Sequence, residues 1–191
     1  MASAFSHALV AYAIGQSHRW TVDPQRFWFL TIACSILPDL DVLAFAVGIP
    51  YRHVLGHRGL THSLVFAVVI GIAVVRFGFP HLGLRSRHGW MLVAHFTLVT
   101  ASHGFLDALT DGGLGVAFFV PFDDERYFFP WTPVKVSPIG VSRFISERGL
   151  HVLGSELLWI GIPVGIWLAG MWATRRCSRN KEDQGSVERL Q

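Results

Sequence analysis

The stretch HRGLTHSLVFAVVIGIAVVRFGF, residues 57–79, sets two histidines, an arginine and two hydroxyls directly against a long apolar run. A solvated turn needs no such collection, and a membrane helix favours none of it. Gly59 permits a tight turn, and Thr61 can cap a helix that begins near His62. His57 then reaches in from the loop and His62 from the first helical turn. Taken alone, the segment also reads as an interfacial turn with Arg58 on lipid headgroups.

The surrounding composition favours a lipid environment. Of the 191 residues 51% are apolar and only 15% charged, where soluble domains carry about 25% charge. Mean hydropathy is +0.42, and seven Trp and fifteen Phe add aromatic surface. The net charge of +3 owes much to RRCSRNK near the C-terminus. A basic cluster after an apolar helix reads as a topology signal, so no nucleic-acid partner is indicated. Cys34 and Cys177 form no disulfide framework, and neither has a metal-ligand neighbour. The N-terminus lacks the basic region of a signal peptide.

A spanning helix needs roughly 20 predominantly apolar residues. Four segments come near that length: 27–48, 63–79, 89–109 and 153–173, with a shorter helix over about 4–17. The expected fold is therefore all-α, an integral membrane bundle of about five helices. A Pro- and Gly-rich connection over roughly 111–150 precedes the last helix. Residues 1–174 form the membrane-embedded domain, and 175–191 read as a basic, then charged, disordered tail. If 4–17 crosses, Arg19, Arg26, Arg85, Arg87, Arg175, Arg176, Arg179 and Lys181 share one side. The positive-inside rule makes that side, and the C-terminus, cytoplasmic. Arg52, Arg58, Arg126, Lys135, Arg143 and Arg148 lie opposite, offset by Asp123, Asp124 and Glu125.

This topology gathers the unusual polar groups at one level. His7, Asp39, Asp41, His57, His62, His103 and Asp107 all fall toward the non-cytoplasmic side. Ionisable groups at membrane depth are costly and face a cavity or one another. His103 and Asp107, four residues apart, share a helical face and can bind one ion. Asp39 and Asp41 follow Pro38, which disfavours helix at Leu37 and can restart one. A break there can aim both carboxylates into one cavity, although a helix cap is the plainer role. His95 reads as structural and His53 as a loop residue; His18, His81 and His88 sit toward the other side. His151 and Glu156 are candidates for a second metal.

The pattern His7, PDLD (38–41), HRGLTHS (57–63), HGFLDALTDGG (103–113) and VPF (120–122), in that order, closely resembles the YdjM-like family, described as LexA-binding, inner-membrane-associated metal-dependent hydrolases. The resemblance covers about residues 1–165 and implies a hydrolase in the bacterial inner membrane, with no substrate specified. LexA binding is not carried over. The order is also similar, more distantly, to the zinc-dependent phospholipase C and single-strand nuclease superfamily. Those all-helical enzymes hold metals with an N-terminal amine, His and Asp residues and an HxxxD helix. His7, Asp39 or Asp41, His57 or His62, His103 and Asp107 match part of that set. Met1 stands where their mature chains begin with Trp, and no later His with an HxxxE/D pair completes a third site.

Mixed nitrogen and carboxylate donors fit Zn²⁺ best, with Mn²⁺ or Fe²⁺ as alternatives, in one or two ions. The expected ligands are His7, His57, His62, His103, Asp107 and one of Asp39 and Asp41. The other aspartate orients or deprotonates water, and Arg58 offsets charge on a phosphate. The expected activity is hydrolysis of a phosphoester or lipid-like substrate, with membrane lipid as the surrounding partner. The alternatives are a metal-ion binding or transport protein, and a regulatory membrane protein with a degenerate site.

Overall fold

A computed structural model describes residues 1–138 and 144–188, with side chains described as far as residue 178. Arg143 lies outside the described residues, as do the side chains of Arg179 and Lys181. The architecture is all-helical. Helix α1 spans Ala4–Gln16 and α2 spans Pro24–Ile36, continuing as a 3₁₀ segment over Leu37–Val47. Helix α3 covers Leu64–Gly78 and α4 covers Arg87–Ala108. The last rod begins as α5, Glu147–Glu156, passes through one π turn at Leu157–Gly161, and continues as α6, Ile162–Glu188. Among the described residues there is no strand. The connection after α4 makes only isolated bridges, Thr110 to Val134 and Val116 to Tyr127.

Local chemistry sets the helix starts. Asp23 accepts the Arg26 N–H at 2.7 Å ahead of Pro24, which suits a first turn because it has no N–H to satisfy. Ser63, rather than Thr61, caps α3, accepting from Phe66 N at 3.1 Å. Ser86 caps α4 through Gly89 N at 3.0 Å. Pro38 marks the change from α to 3₁₀ geometry. Gly48, at φ +78°, closes that segment in the left-handed conformation that glycine adopts without strain.

The apolar core joins Phe27 and Cys34 of α2, Val75 of α3, and Leu92, Phe96 and Val99 of α4, with Phe79 beneath. Helices α3 and α4 form the closest pair. A Cβ on Gly71 would lie 2.3 Å from Thr97 Oγ1 and 2.8 Å from the Val93 carbonyl, so only glycine permits this approach. His95 hydrogen-bonds Thr31 Oγ1 at 3.0 Å within this region, in keeping with a structural role.

Among the described residues, two rods are long and apolar enough to cross a membrane, Pro24–Val47 and Glu147–Ser178. Helix α3, with 15 residues, is about 22 Å long, short of the ~30 Å hydrocarbon core. Half of α4 is buried against its neighbours. The tail read as disordered continues α6 as helix to Glu188. Its Arg, Lys, Glu and Gln residues are good helix formers, and no proline interrupts them.

Candidate metal centre

Four elements converge on one point: the first turn of α1, the 3₁₀ segment after α2, the loop before α3 and the last turn of α4. In a 3₁₀ helix, side chains two apart diverge by about 120°, against about 160° in an α-helix. That tighter winding brings Asp39 and Asp41 to the same buried side. His103 and Asp107 lie one turn apart on α4, both fully buried. The 3₁₀ turn Leu60–His62 delivers His62.

Among the described residues, two overlapping groups have metal-ligand proximity: Asp39, His62, His103 and Asp107, and Asp41, His57 and His62. Their hydrogen bonding separates them. In the second group the atoms are engaged. Asp41 Oδ1 pairs with His57 Nδ1 at 2.6 Å, and its Oδ2 accepts from Arg58 N at 3.0 Å and Thr61 Oγ1 at 2.7 Å. The same Oδ2 faces His62 Nδ1 at 3.2 Å. In the first group Asp39 Oδ1, His62 Nε2 and His103 Nε2 are buried without a hydrogen-bond partner, as are both ring nitrogens of His7. Buried polar atoms without partners are rare and need an explanation.

The second nitrogen of each ring is held. His103 Nδ1 donates to the Ser35 carbonyl at 2.7 Å, which leaves a lone pair on Nε2. The contact of His62 Nδ1 with Asp41 likewise directs its Nε2 inward. Such carboxylate or carbonyl contacts behind a histidine are the usual support of a metal ligand. The three unpartnered atoms, together with Asp107 Oδ2, which also accepts from Arg58 Nε at 2.9 Å, are spaced as ligands around one ion. His103 Nε2 lies 3.2 Å from Asp39 Oδ1, and His62 Nε2 lies 3.5 Å from Asp107 Oδ2 and 3.9 Å from Asp39 Oδ1. A tetrahedron with bonds of ~2.0–2.1 Å has edges of about 3.3 Å. His7 stacks on His103 at 3.7 Å, with Nε2 3.6 Å from Asp107 Oδ1.

Charge also favours a cation. Asp39, Asp41 and Asp107 face one buried guanidinium, Arg58. The Met1 amine is nearby, but burial depresses its pKa despite Asp107. Burial works against a charge on His62 as well, yet the neighbouring Asp107 and Asp41 carboxylates outweigh it and raise the pKa to about 9. Without a metal, His62 thus carries a proton in the place a cation would take.

Arg58 departs from its sequence reading as a phosphate clamp. Its guanidinium is fully buried and turned inward, donating to Asp107 Oδ2, the Gly112 carbonyl and Thr110 Oγ1, each at 2.9 Å. The backbone at Arg58 is left-handed, φ +62°, which lets its N–H reach Asp41 while its side chain reaches Asp107. Glu156, a candidate for a second metal, instead accepts from Ser3 N, Ser3 Oγ and Ser6 Oγ. His151 is exposed. Sequence reading also misses Arg126 as a brace. Its guanidinium donates to the carbonyls of His57 at 3.0 Å and Tyr51 at 3.1 Å, and no spacing rule signals this.

Comparison with known proteins agrees with the membrane helices. The family described as YdjM inner membrane protein matches residues 1–177. The inner membrane protein YbcI of Escherichia coli K12 is 41% identical over 177 residues, covering 92% of this chain and 100% of the relative. No solved structure matches. The chain belongs to the YdjM family of inner membrane proteins.

Proposed function

We propose that this protein is a membrane-bound metal-dependent hydrolase whose substrate is a phosphoester or lipid-like molecule. Its ligands are Asp39, His62, His103 and Asp107, with His7 completing the set and zinc the best-suited ion. The observation that carries this reading is the cluster of partnerless buried atoms on His7, Asp39, His62 and His103, beside the Asp107 carboxylate, which accepts from Ala2 N and Arg58 Nε. A divalent cation held there supplies Lewis acidity and a water that ionises near neutral pH. The protein's own groups do the positioning. Asp41 keeps His62 turned inward and ties His57 to it. Ser35 does the same for His103. Arg58 holds Asp107 by one oxygen and balances part of the buried charge. Asp39 is the ligand with residual exposure, 8%, and marks the side from which substrate or water enters.

The arginine distribution supports a cytoplasmic C-terminus and a centre near the opposite membrane boundary. A second reading, a structural metal that fastens the loops to the bundle, is favoured by the near-complete enclosure of the ligands. Metal analysis of the detergent-purified wild type beside His62→Ala and Asp107→Ala tests the centre. Both variants should insert normally and lose the metal. Chelator-sensitive turnover of a phosphoester panel then separates the readings. A stoichiometric metal with no turnover, whose removal lowers the melting temperature, leaves the structural one.

A further inference from the structure

The other end of α1 carries a separate feature. Gln16 lies nine residues from His7, about 14 Å along the helix axis. A cavity of about 310 Å³ opens there, lined by Gln16, His18, Arg19, Trp20, Trp28 and Arg175 among others. A second cavity of about 280 Å³ runs between α1 and α6, lined by Tyr12, Gln16, Leu168, Met171, Trp172 and Arg175. The two share Gln16 and Arg175. One is therefore basic and aromatic, and the other is a mainly apolar slot leading from it.

We propose that these joined cavities bind one anionic phospholipid, its phosphate at Arg19 and Arg175 and one acyl chain in the slot beside Leu168 and Met171. Three observations favour that occupant. Among the described residues no carboxylate lines either cavity. Arg175 donates to the Gln16 carbonyl and to Gln16 Oε1 at 3.4 Å, two contacts for a guanidinium that carries five N–H donors. The slot is continuous with the apolar face of a helix long enough to cross the bilayer, where Trp167 and Trp172 are exposed. A free phosphate has no use for the slot, and a neutral lipid has none for the two arginines. Basic pockets between membrane helices are a recurrent setting for anionic headgroups.

The test titrates phosphatidylglycerol or phosphatidylcholine into the full-length protein in non-ionic detergent and counts retained lipid by native mass spectrometry. Phosphatidylglycerol should be preferred by about 30-fold, roughly fivefold per arginine. Arg19→Gln with Arg175→Gln should abolish the preference. Leu168→Trp, which fills the slot and changes no charge, should weaken binding of the same lipid at least tenfold. Arg85→Gln with Arg87→Gln removes equal charge away from the cavities and should change nothing. The proposal is overturned if phosphatidylcholine binds equally well, or if the Arg85/Arg87 control loses as much as the Arg19/Arg175 variant. It also fails if Leu168→Trp binds normally, or if inorganic phosphate displaces the lipid at equal concentration. Should the double arginine variant not fold, the Leu168→Trp and Arg85/Arg87 arms still decide.

Discussion

Asp41→Asn distinguishes the two overlapping ligand groups. Asp41 receives His57 Nδ1 on one oxygen and Arg58 N and Thr61 Oγ1 on the other, which also faces His62 Nδ1. Asparagine keeps the shape but offers one carbonyl and one amino group. Placed with its carbonyl toward Arg58, Thr61 and His62, it loses the acceptor for His57. It also replaces a charged acceptor behind His62 with a neutral one, roughly halving that bond's strength. His62 is then less basic and less firmly aimed, while every proposed ligand atom remains. Loss of such a supporting contact typically costs about 10–100-fold in metal affinity, or about 1.4–2.7 kcal/mol. The expected result is full stoichiometry after purification in metal-containing buffer and a weakened affinity in competition with a chelator of known strength. Asp39→Asn removes an anionic donor and should come through desalting without metal. If Asp41→Asn arrives metal-free while Asp39→Asn stays loaded, the ion belongs with His57 and Asp41, and the assignment made from the partnerless atoms is wrong.

Further outcomes follow from the same geometry. Arg58→Met leaves the buried Asp107 carboxylate without its guanidinium, and should destabilise the protein by about 3–5 kcal/mol in detergent melts. An unchanged melting temperature refutes the bracing role. Gly71→Val forces a side chain against the Val93 carbonyl and Thr97, and should cost about 1–3 kcal/mol through overpacking with metal still bound in the folded fraction. For pH, His62 is raised to about 9 in the metal-free fold from an unfolded value of about 6.5. Its contribution to metal-free stability is fully present below pH 6.5 and is lost as pH rises through 9. Metal uptake at pH 7 must displace that proton, so apparent affinity should climb about tenfold per pH unit toward pH 9. Calorimetry in buffers of different ionisation enthalpy reads the proton release.

The parts of the centre fixed by local spacing were legible in the sequence. His103 and Asp107 stand four apart in an apolar helix, and that spacing alone puts them on one face. The PDLD pair was harder. Its convergence depends on 3₁₀ winding, which Pro38 hints at but does not specify. His62 and His57 were both visible as candidates, yet their different hydrogen bonding depends on Asp41 and Thr61, which only the folded loop brings near. An arginine at a loop tip resembles an anion clamp, and the inward contacts of Arg58 with Asp107 and Thr110 are not legible from its position. Its left-handed backbone turns the side chain inward, and no residue pattern announces that. In the tail, charge suggests solvation, while Arg, Lys, Glu and Gln are equally good helix formers, so composition alone does not choose between the two.

The grip of Glu156 on Ser3 and Ser6 has a consequence for how the protein is made. The carboxylate and its partners are separated by as many as 153 residues. During synthesis the N-terminal helix emerges first, and Ser3 and Ser6 meet this carboxylate only after the last rod has begun to leave the ribosome. The start of α1 is thus finished last, and a chain truncated before residue 156 should reach the membrane with Ser3 and Ser6 left without that carboxylate.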